Sequence, residues 1–183
     1  MKLAVFGRFN NKYTLTSVDT LLNYVAKKNV DVLIEAEFSE LIKSVSTKRE
    51  FYNTFETFDK LDESFDLLVS IGGDGTILRA ITFVMNLDIP IVGINTGRLG
   101  FLATIQVEDI KKAVQNIIDG KYRISERSLL TIETTPENSD ITNLTFALNE
   151  IAVSRKNTTS MITVETLLDG QYLTSYWSDG LIV

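Results

Sequence analysis

The first 120 residues contain two kinds of apolar pattern. Short, continuous apolar runs predict strands that are buried on both faces, and longer segments with apolar residues every three or four positions predict amphipathic helices. The two kinds alternate along the chain. We predict strands at 2–6, 32–34, 67–71 and 89–94, and helices at 16–28, 39–46, 76–85 and 108–118. A regular alternation of strands and helices is typical of a parallel α/β domain.

The pattern changes at about residue 121, where the helical period stops. Alternating or mixed apolar patterning predicts strands at 122–133, 142–155, 161–168 and 171–183, and Asp169-Gly170 is a typical hairpin turn. The chain therefore predicts a Rossmann-like α/β domain with a parallel sheet over residues 1–120. An antiparallel β domain, an incomplete β-sandwich, is predicted over residues 121–183.

The most informative stretch is a predicted strand that passes through Gly72, Gly73, Asp74 and Gly75 into a helix. Glycines between a strand and a helix bring backbone N–H groups and the positive end of the helix to one place, which predicts a phosphate site. Asp74 is unusual there, because a carboxylate repels a polyphosphate unless a cation or a reacting hydroxyl lies between them. The alternative is that Asp74 only caps the helix.

A second glycine-rich loop, residues 95–101, follows the next predicted strand. Loops at the carboxyl ends of neighbouring parallel strands surround one crevice, and open α/β sheets bind ligands there. Arg98 is a candidate for contacting an anion, with a solvated surface charge as the alternative. Phe101 is a candidate for stacking on a base, with a core aromatic as the alternative.

Two polar features interrupt the β half. Asn149-Glu150 breaks an otherwise apolar run, so that one of the pair points inward if the strand is regular, and both are wetted if it is an edge or a bulge. Asp179-Gly180 precedes another apolar run and has the composition of a turn.

The composition limits the chemistry. A chain of 183 residues with no cysteine and no histidine excludes disulfides, thiolate zinc sites and imidazole bases, so acid–base work falls to carboxylates. The formal net charge of −6 argues against a nucleic-acid partner. No apolar run of about 18 residues and no signal-like start are present, which predicts a cytoplasmic protein without a membrane partner.

The residues GGDGT at 72–76 resemble the hallmark of a kinase superfamily that includes NAD kinases, diacylglycerol and sphingosine kinases and, more distantly, phosphofructokinases. Together with NTGRLGF at 95–101, NE at 149–150 and DG at 179–180, they resemble the NAD kinase family in order and spacing. The set is far more specific than any one motif, and it extends over nearly the whole chain.

The resemblance implies an enzyme that transfers the γ-phosphoryl of ATP to the adenosine ribose 2′-hydroxyl of NAD. Asp74 would be the catalytic base, and the implied nucleotide-binding residues are Gly72, Gly73, Asp74, Gly75, Arg79, Phe101, Asn149, Glu150 and Asp179. Mg²⁺ would arrive on the ATP phosphates, so no protein metal ligands are predicted. The family also implies a homodimer or homotetramer, in which Asp179 often completes the neighbouring subunit's site.

Family members continue past the equivalent of Val183 into a turn and further strands, so we expect this chain to lack the C-terminal part of the β domain. Two other functions stay open. One is another GGDGT-type kinase acting on a lipid or a sugar phosphate, and the other is a non-catalytic nucleotide-binding fragment. The choice of ATP or polyphosphate as donor, and of NAD or NADH as acceptor, is left open by the sequence.

Overall fold

The computed structural model describes residues 1–8, 12–98, 100–136, 145–156 and 159–183. The chain divides into two compact units, Met1–Ile124 and Ser125–Val183. Each unit has its own sheets, and each is described by itself.

The first unit is built on a five-stranded parallel sheet. Its strands are β1 (Lys2–Gly7), β2 (Asp31–Glu35), β3 (Glu56–Phe58), β4 (Leu67–Gly72) and β5 (Ile91–Asn95). Their order across the sheet is β3-β2-β1-β4-β5. Every neighbouring pair is parallel, in registers such as Val5 opposite Ile34 and Val69, and Ile71 opposite Ile94.

Five helices connect or follow these strands. They are α1 (Lys12–Val25), α2 (Ala36–Val45), α3 (Arg49–Tyr52), α4 (Asp74–Val84) and α5 (Ile110–Ile118), the last preceded by a 3₁₀ turn at Val107–Asp109. Buried residues of α1, α2 and α5 share one apolar cluster with one face of the sheet, and those of α4 share a second cluster with the other face.

The strand sequences explain why both faces are covered. Leu3 and Val5 of β1 lie in the first cluster, and Ala4 and Phe6 lie in the second. Successive side chains of a strand point to opposite faces, so a continuous apolar run can be buried only between two layers of helices. The predicted α/β half with a parallel sheet is therefore confirmed.

The element bounds differ from the prediction in several places. Helix α1 begins at Lys12 rather than 16, and α2 begins at Ala36 rather than 39, because the Glu35 carboxylate accepts the N–H groups of Glu37 and Phe38. The short elements α3 and β3 were not predicted. The apolar pattern of 76–85 includes Leu78 and Met85, but the side chains of both are exposed.

The second unit contains only short antiparallel pairs in its described part. They are β6 (Leu130–Thr131) with β7 (Phe146–Ala147), β8 (Ala152–Ser154) with β11 (Gly180–Ile182), and β9 (Ile162–Leu168) with β10 (Gln171–Ser178). The α/β half followed by antiparallel β structure is thus confirmed. The hairpin turn is confirmed too, since Asp169 and Gly170 both adopt positive φ between paired strands.

The strand predicted at 161–168 is confirmed as β9, but the other three strands predicted in this unit are wrong in their bounds. Of 122–133 only Leu130–Thr131 is a strand. Ile132 extends the pairing by one hydrogen bond, from its N–H to the carbonyl of Thr145 at 2.9 Å, and most of the other side chains are exposed. The run 142–155 is broken after Ala147, and its residues 142–144 lie outside the described part. The run 171–183 is broken at Asp179.

A helix that crosses a bilayer needs about 20 mostly apolar residues. None of those found in residues 1–8, 12–98, 100–136, 145–156 and 159–183 is both long and apolar enough to span a membrane.

Candidate functional site

The candidate site lies where the chain reverses its direction of travel across the parallel sheet. From β1 at the centre the chain moves outward through β2 and β3, and then returns to β4 and β5 on the other side of β1. At the carboxyl ends of β1 and β4 the two connections diverge, and there the N–H of Arg8 donates to the carbonyl of Ile71 at 3.3 Å. In open α/β sheets this is the position at which a crevice forms and ligands bind.

The glycines of the turn between β4 and α4 have different surroundings. A Cβ at Gly72 would collide with the side chain of Thr76, so the missing side chain of Gly72 serves the tight passage from strand to helix. Gly73 is the N-cap residue of α4. At Gly73 and Gly75 a Cβ would meet no atom within 4 Å, so open space adjoins their backbone.

Asp74 does not cap its own helix. It is the first residue of α4, and the start of the helix has no side-chain cap hydrogen bond. The Asp74 carboxylate instead accepts three N–H groups from the loop after β5: Phe101 donates to Oδ2 at 2.7 Å, and Leu102 and Ala103 donate to Oδ1 at 3.0 and 2.9 Å. The helix-cap alternative is therefore wrong, and Asp74 ties the two loops together.

These hydrogen bonds change the acidity of Asp74. The N–H groups of Ala103 and Phe101 lower the pKa of the carboxyl below its ordinary value, and the smaller opposing effect of burial does not reverse this. A carboxylate that accepts several backbone N–H groups is stabilised in its charged form. Asp74 is therefore ionised at neutral pH, and it is a weaker base than an unperturbed aspartate.

Asn95 holds the loop that approaches Asp74. Its buried side chain donates from Nδ2 to the carbonyls of Arg98, at 2.8 Å, and Ala103, at 3.2 Å, and its Oδ1 accepts the N–H of Gly97 at 2.8 Å. Sequence reasoning assigned no role to Asn95 itself. The signal was available, since an asparagine directly before a glycine-rich turn commonly bonds its own backbone two residues on.

Phe101 lies on the outside of this loop. Its side chain is 94% exposed, so the core-aromatic alternative is wrong. Arg98 is also exposed. An exposed phenylalanine whose own N–H is fixed by Asp74 presents a flat apolar surface beside the carboxylate, which suits a base or another planar group.

Arg79 lines a cleft at the end of β1. The cleft has a volume of about 360 Å³ and lies among Gly7, Arg8, Glu35, Arg79 and Phe83, with further walls from α2. Both arginines are exposed. The lining thus contains two guanidinium groups, which donate hydrogen bonds to anions, and the carboxylates of Glu35 and Glu37, which repel anions.

The other predicted site residues belong to the second unit. Asn149 and Glu150 lie between β7 and β8, and both are exposed, so the expectation that one of them points inward is wrong, because the strand is interrupted there. Asp179 separates β10 from β11, and its carboxylate forms an ion pair with Arg155 at 3.1 Å. Arg155 was not singled out from the sequence.

A protein site for a metal ion needs several donor side chains in one group. In the described ranges 1–8, 12–98, 100–136, 145–156 and 159–183, no three acidic, histidine or cysteine side chains come together in a group that could hold a metal ion.

One protein family matches the segment that contains both the parallel sheet and the glycine turn. The family model of the ATP-NAD kinase N-terminal domain matches residues 3–122. The chain belongs to the NAD kinase family. The matched part includes all of the parallel sheet of this NAD kinase family member except Lys2, the turn with Asp74 and the loop with Phe101.

Individual NAD kinase relatives extend the likeness to the second unit. An NAD kinase of Christiangramia forsetii is 53% identical over 183 residues, which is 100% of this chain and 62% of the relative. A crystal structure of an NAD kinase from Archaeoglobus fulgidus in complex with ATP matches with a TM-score of 0.68 at 27% identity, over 100% of this chain and 59% of that one. This chain thus spans about three fifths of the length of the NAD kinases that it matches.

A yeast NADH kinase complexed with NADH matches with a higher TM-score of 0.78, covering 100% of this chain and 56% of the yeast chain. At 23% identity this likeness establishes the fold alone. The family model and the curated NAD kinase relatives agree with the family that the four sequence motifs indicated, and that prediction is confirmed.

Proposed function

We propose that the protein is an NAD kinase, which transfers the γ-phosphoryl of ATP to the adenosine ribose 2′-hydroxyl of NAD to give NADP. The observation that carries the proposal is the held carboxylate of Asp74, which lies inside the segment that matches the NAD kinase family. The proposal also agrees with the names of the relatives.

In the proposed reaction the 2′-oxygen forms a bond to the γ-phosphorus while the bond from that phosphorus to the β–γ bridging oxygen breaks. ADP leaves with the electron pair, and the proton of the hydroxyl passes to Asp74. Phosphoryl transfer has a loose transition state, so positioning and charge stabilisation dominate, and the proton moves late. A carboxylate that orients the hydroxyl is sufficient, even though the pKa of Asp74 is lowered.

The first unit would supply the contacts to phosphate and base. Open space beside Gly73 and Gly75 leaves room for a phosphate to approach their backbone, and Gly72 keeps the turn tight. Arg79 would meet phosphate oxygens from the cleft. The exposed ring of Phe101 would stack on a base. Mg²⁺ would enter as the complex with ATP, where it neutralises the phosphate oxygens.

The second unit would supply the remaining contacts to NAD. We assign Asn149 and Glu150 to the ribose and base region, and Asp179 to completing the site in its own subunit or in a neighbouring one. Their exposure agrees with a role in ligand contact. The proposed assembly is a homodimer or homotetramer.

A substrate panel tests the proposal. The full-length protein is incubated with Mg²⁺ and ATP, and with NAD, a sugar phosphate or a diacylglycerol as acceptor. NADP formation from NAD, and no product from the other two, is expected. Phosphorylation of only the sugar phosphate or the diacylglycerol would contradict the proposal and would favour another kinase of the superfamily. Polyphosphate in place of ATP, and NADH in place of NAD, determine donor and acceptor preference in the same assay.

A further inference from the structure

Gly100 lies directly against the Asp74 carboxylate. A Cβ built at Gly100 would overlap the carboxyl carbon and both carboxylate oxygens of Asp74. Gly97, three residues earlier in the same loop, is different, because its Cβ would have only Asn95 Oδ1 as a neighbour, at 4.0 Å. Any side chain at position 100 would therefore displace either the Asp74 carboxylate or the loop.

The close approach of Gly100 allows three successive N–H groups to reach one carboxylate. Oδ1 accepts from Leu102 and Ala103, and Oδ2 accepts from Phe101. An ionised carboxylate has about four lone-pair sites, two on each oxygen. The hydrogen bonds of the described residues thus fill Oδ1 and leave one acceptor site on Oδ2.

From this geometry we propose that Gly100 is a positioning residue, which lets the loop clamp Asp74 so that the remaining lone pair of Oδ2 faces the acceptor hydroxyl. The inference rests on the proposed function for the identity of that hydroxyl. In the reaction the O–H bond of the hydroxyl breaks, its proton passes to Oδ2, and its oxygen bonds to the γ-phosphorus of ATP as ADP departs.

A turn-forming role alone would have a different consequence. If Gly100 only permitted the turn, an alanine there would leave the three N–H groups on Asp74 and would leave its acidity unchanged. If Gly100 permits the clamp, the alanine removes N–H groups from the carboxylate, and its pKa rises towards the ordinary value of about 3.9. The acidity of Asp74 therefore distinguishes the two roles.

The test compares wild type, Gly100→Ala and the matched control Gly97→Ala in the full-length protein. The carboxyl carbon of Asp74 is titrated by NMR, and the pH profile of kcat/KM is measured with Mg²⁺, ATP and NAD. We expect Gly100→Ala to raise the Asp74 pKa and to shift the acid limb of kcat/KM to higher pH, because that limb reports the free enzyme. We expect kcat to fall by about 10²-fold, the scale of a misplacement of about 1 Å. Gly97→Ala should match wild type in the Asp74 pKa, in the pH profile of kcat/KM and in kcat.

An unchanged Asp74 pKa in a folded Gly100→Ala variant would overturn the positioning role, whatever the activity of the wild type. Global unfolding of Gly100→Ala, with Gly97→Ala intact, would overturn it as well, because Gly100 would then be a determinant of folding. A wild-type protein that forms no NADP would instead overturn the proposed function. In that case the titration still decides whether Gly100 sets the state of Asp74.

Discussion

The carboxylate of Asp74 is held by partners that lie 27, 28 and 29 residues further along the chain. This arrangement gives one side chain two functions at once. It fixes the loop that carries Phe101, and it presents a charged oxygen beside the glycine turn. A substitution at Asp74 is therefore expected to act on the loop as well as on the proposed reaction.

Asp74→Asn is expected to lower kcat by roughly 10²–10⁴-fold, the usual contribution of a positioned general base. An amide has one acceptor oxygen and two donor hydrogens, so its NH₂ group would face a backbone N–H of the loop. We therefore expect faster hydrogen exchange at the amides of residues 101–103. Helix α4 should persist, because Asp74 does not cap it.

The control is Asp88→Asn, which removes the same charge at an exposed position. It should leave both kcat and exchange unchanged. An Asp74→Asn protein with near-normal kcat would contradict the assignment of Asp74 as the base, even if the amide hydrogens of residues 101–103 exchanged faster.

Sequence reasoning at this scale predicted site roles for Asp74, its glycines and Phe101, from the glycine turn and from the resemblance to the family. It could not find the hydrogen bonds of Asp74 or the closeness of Gly100, since both depend on how β4 and β5 lie side by side in the sheet. The helix cap was the local explanation for Asp74, and a non-local contact replaced it.

At the scale of elements, the loop after β5 is a structure built around one buried side chain. Asn95 contributes three hydrogen bonds to the loop backbone, and the N–H of Asn95 donates to the carbonyl of Ile105 at 2.7 Å. The loop is thus joined to the sheet by its first residue and to α4 by Asp74.

Asn95→Ala is expected to lower the free energy of unfolding by about 2–4 kcal/mol, because each lost hydrogen bond contributes about 1 kcal/mol and the released groups stay partly buried. The denaturant midpoint measures this. Asn86→Ala, an asparagine exposed after the end of α4, is the control and should change the midpoint little. Equal midpoints for the two variants would contradict the role of Asn95.

The strongly apolar elements of the first unit were predictable and the short ones were not. Strand β4 is buried along its whole length, and its sequence is apolar except for Ser70 and Gly72. Strand β3 is only three residues long, and two of them, Glu56 and Thr57, are exposed and polar. Its position is determined by pairing with β2 and by burial of Phe58, and neither is visible in a local pattern.

At the scale of the whole molecule, the two units differ in how much they bury. The buried apolar residues all lie in the first unit, and none of the described residues of Ser125–Val183 is fully buried. Alternating patterns predict strands when one face of a sheet is buried. In 122–133 most side chains are exposed, so this condition is not met and the predicted strand was wrong.

The stability of the molecule is expected to fall at both extremes of pH. Hydrogen bonds to the carboxylates lower the pKa of Asp62, Asp74 and Asp119. The unfolded chain, with aspartate pKa values of about 3.9, then binds more protons than the folded one as pH falls. The stabilisation of the folded state by these three carboxylates is present above about pH 4. It is lost as the pH falls through their lower pKa values in the folded protein.

Tyr52 makes the stability of the protein depend on pH in the alkaline range. Burial and donation of its hydroxyl to Asp19 raise the pKa of Tyr52 above its ordinary value. The stabilisation of the folded state by the protonated Tyr52 hydroxyl is present below about pH 10. It is lost as the pH rises through the raised pKa of Tyr52 in the folded protein. Tyr52→Phe should remove part of the loss of stability at alkaline pH, whereas Tyr122→Phe, at an exposed tyrosine, should leave that loss unchanged. Urea midpoints across the pH range measure both limbs, and identical alkaline limbs in the two variants would contradict the role of Tyr52.

The central claim is that the clamped carboxylate of Asp74 faces the hydroxyl that is phosphorylated. A crystal structure of the full-length protein with NAD bound tests it most directly. We predict that the adenosine ribose 2′-oxygen lies about 2.6–3.2 Å from Asp74 Oδ2, the distance of a hydrogen bond to a general base, with the loop amides of residues 101–103 still on the carboxylate. A different hydroxyl at Oδ2, or no NAD hydroxyl within hydrogen-bond distance of Asp74, would contradict the claim.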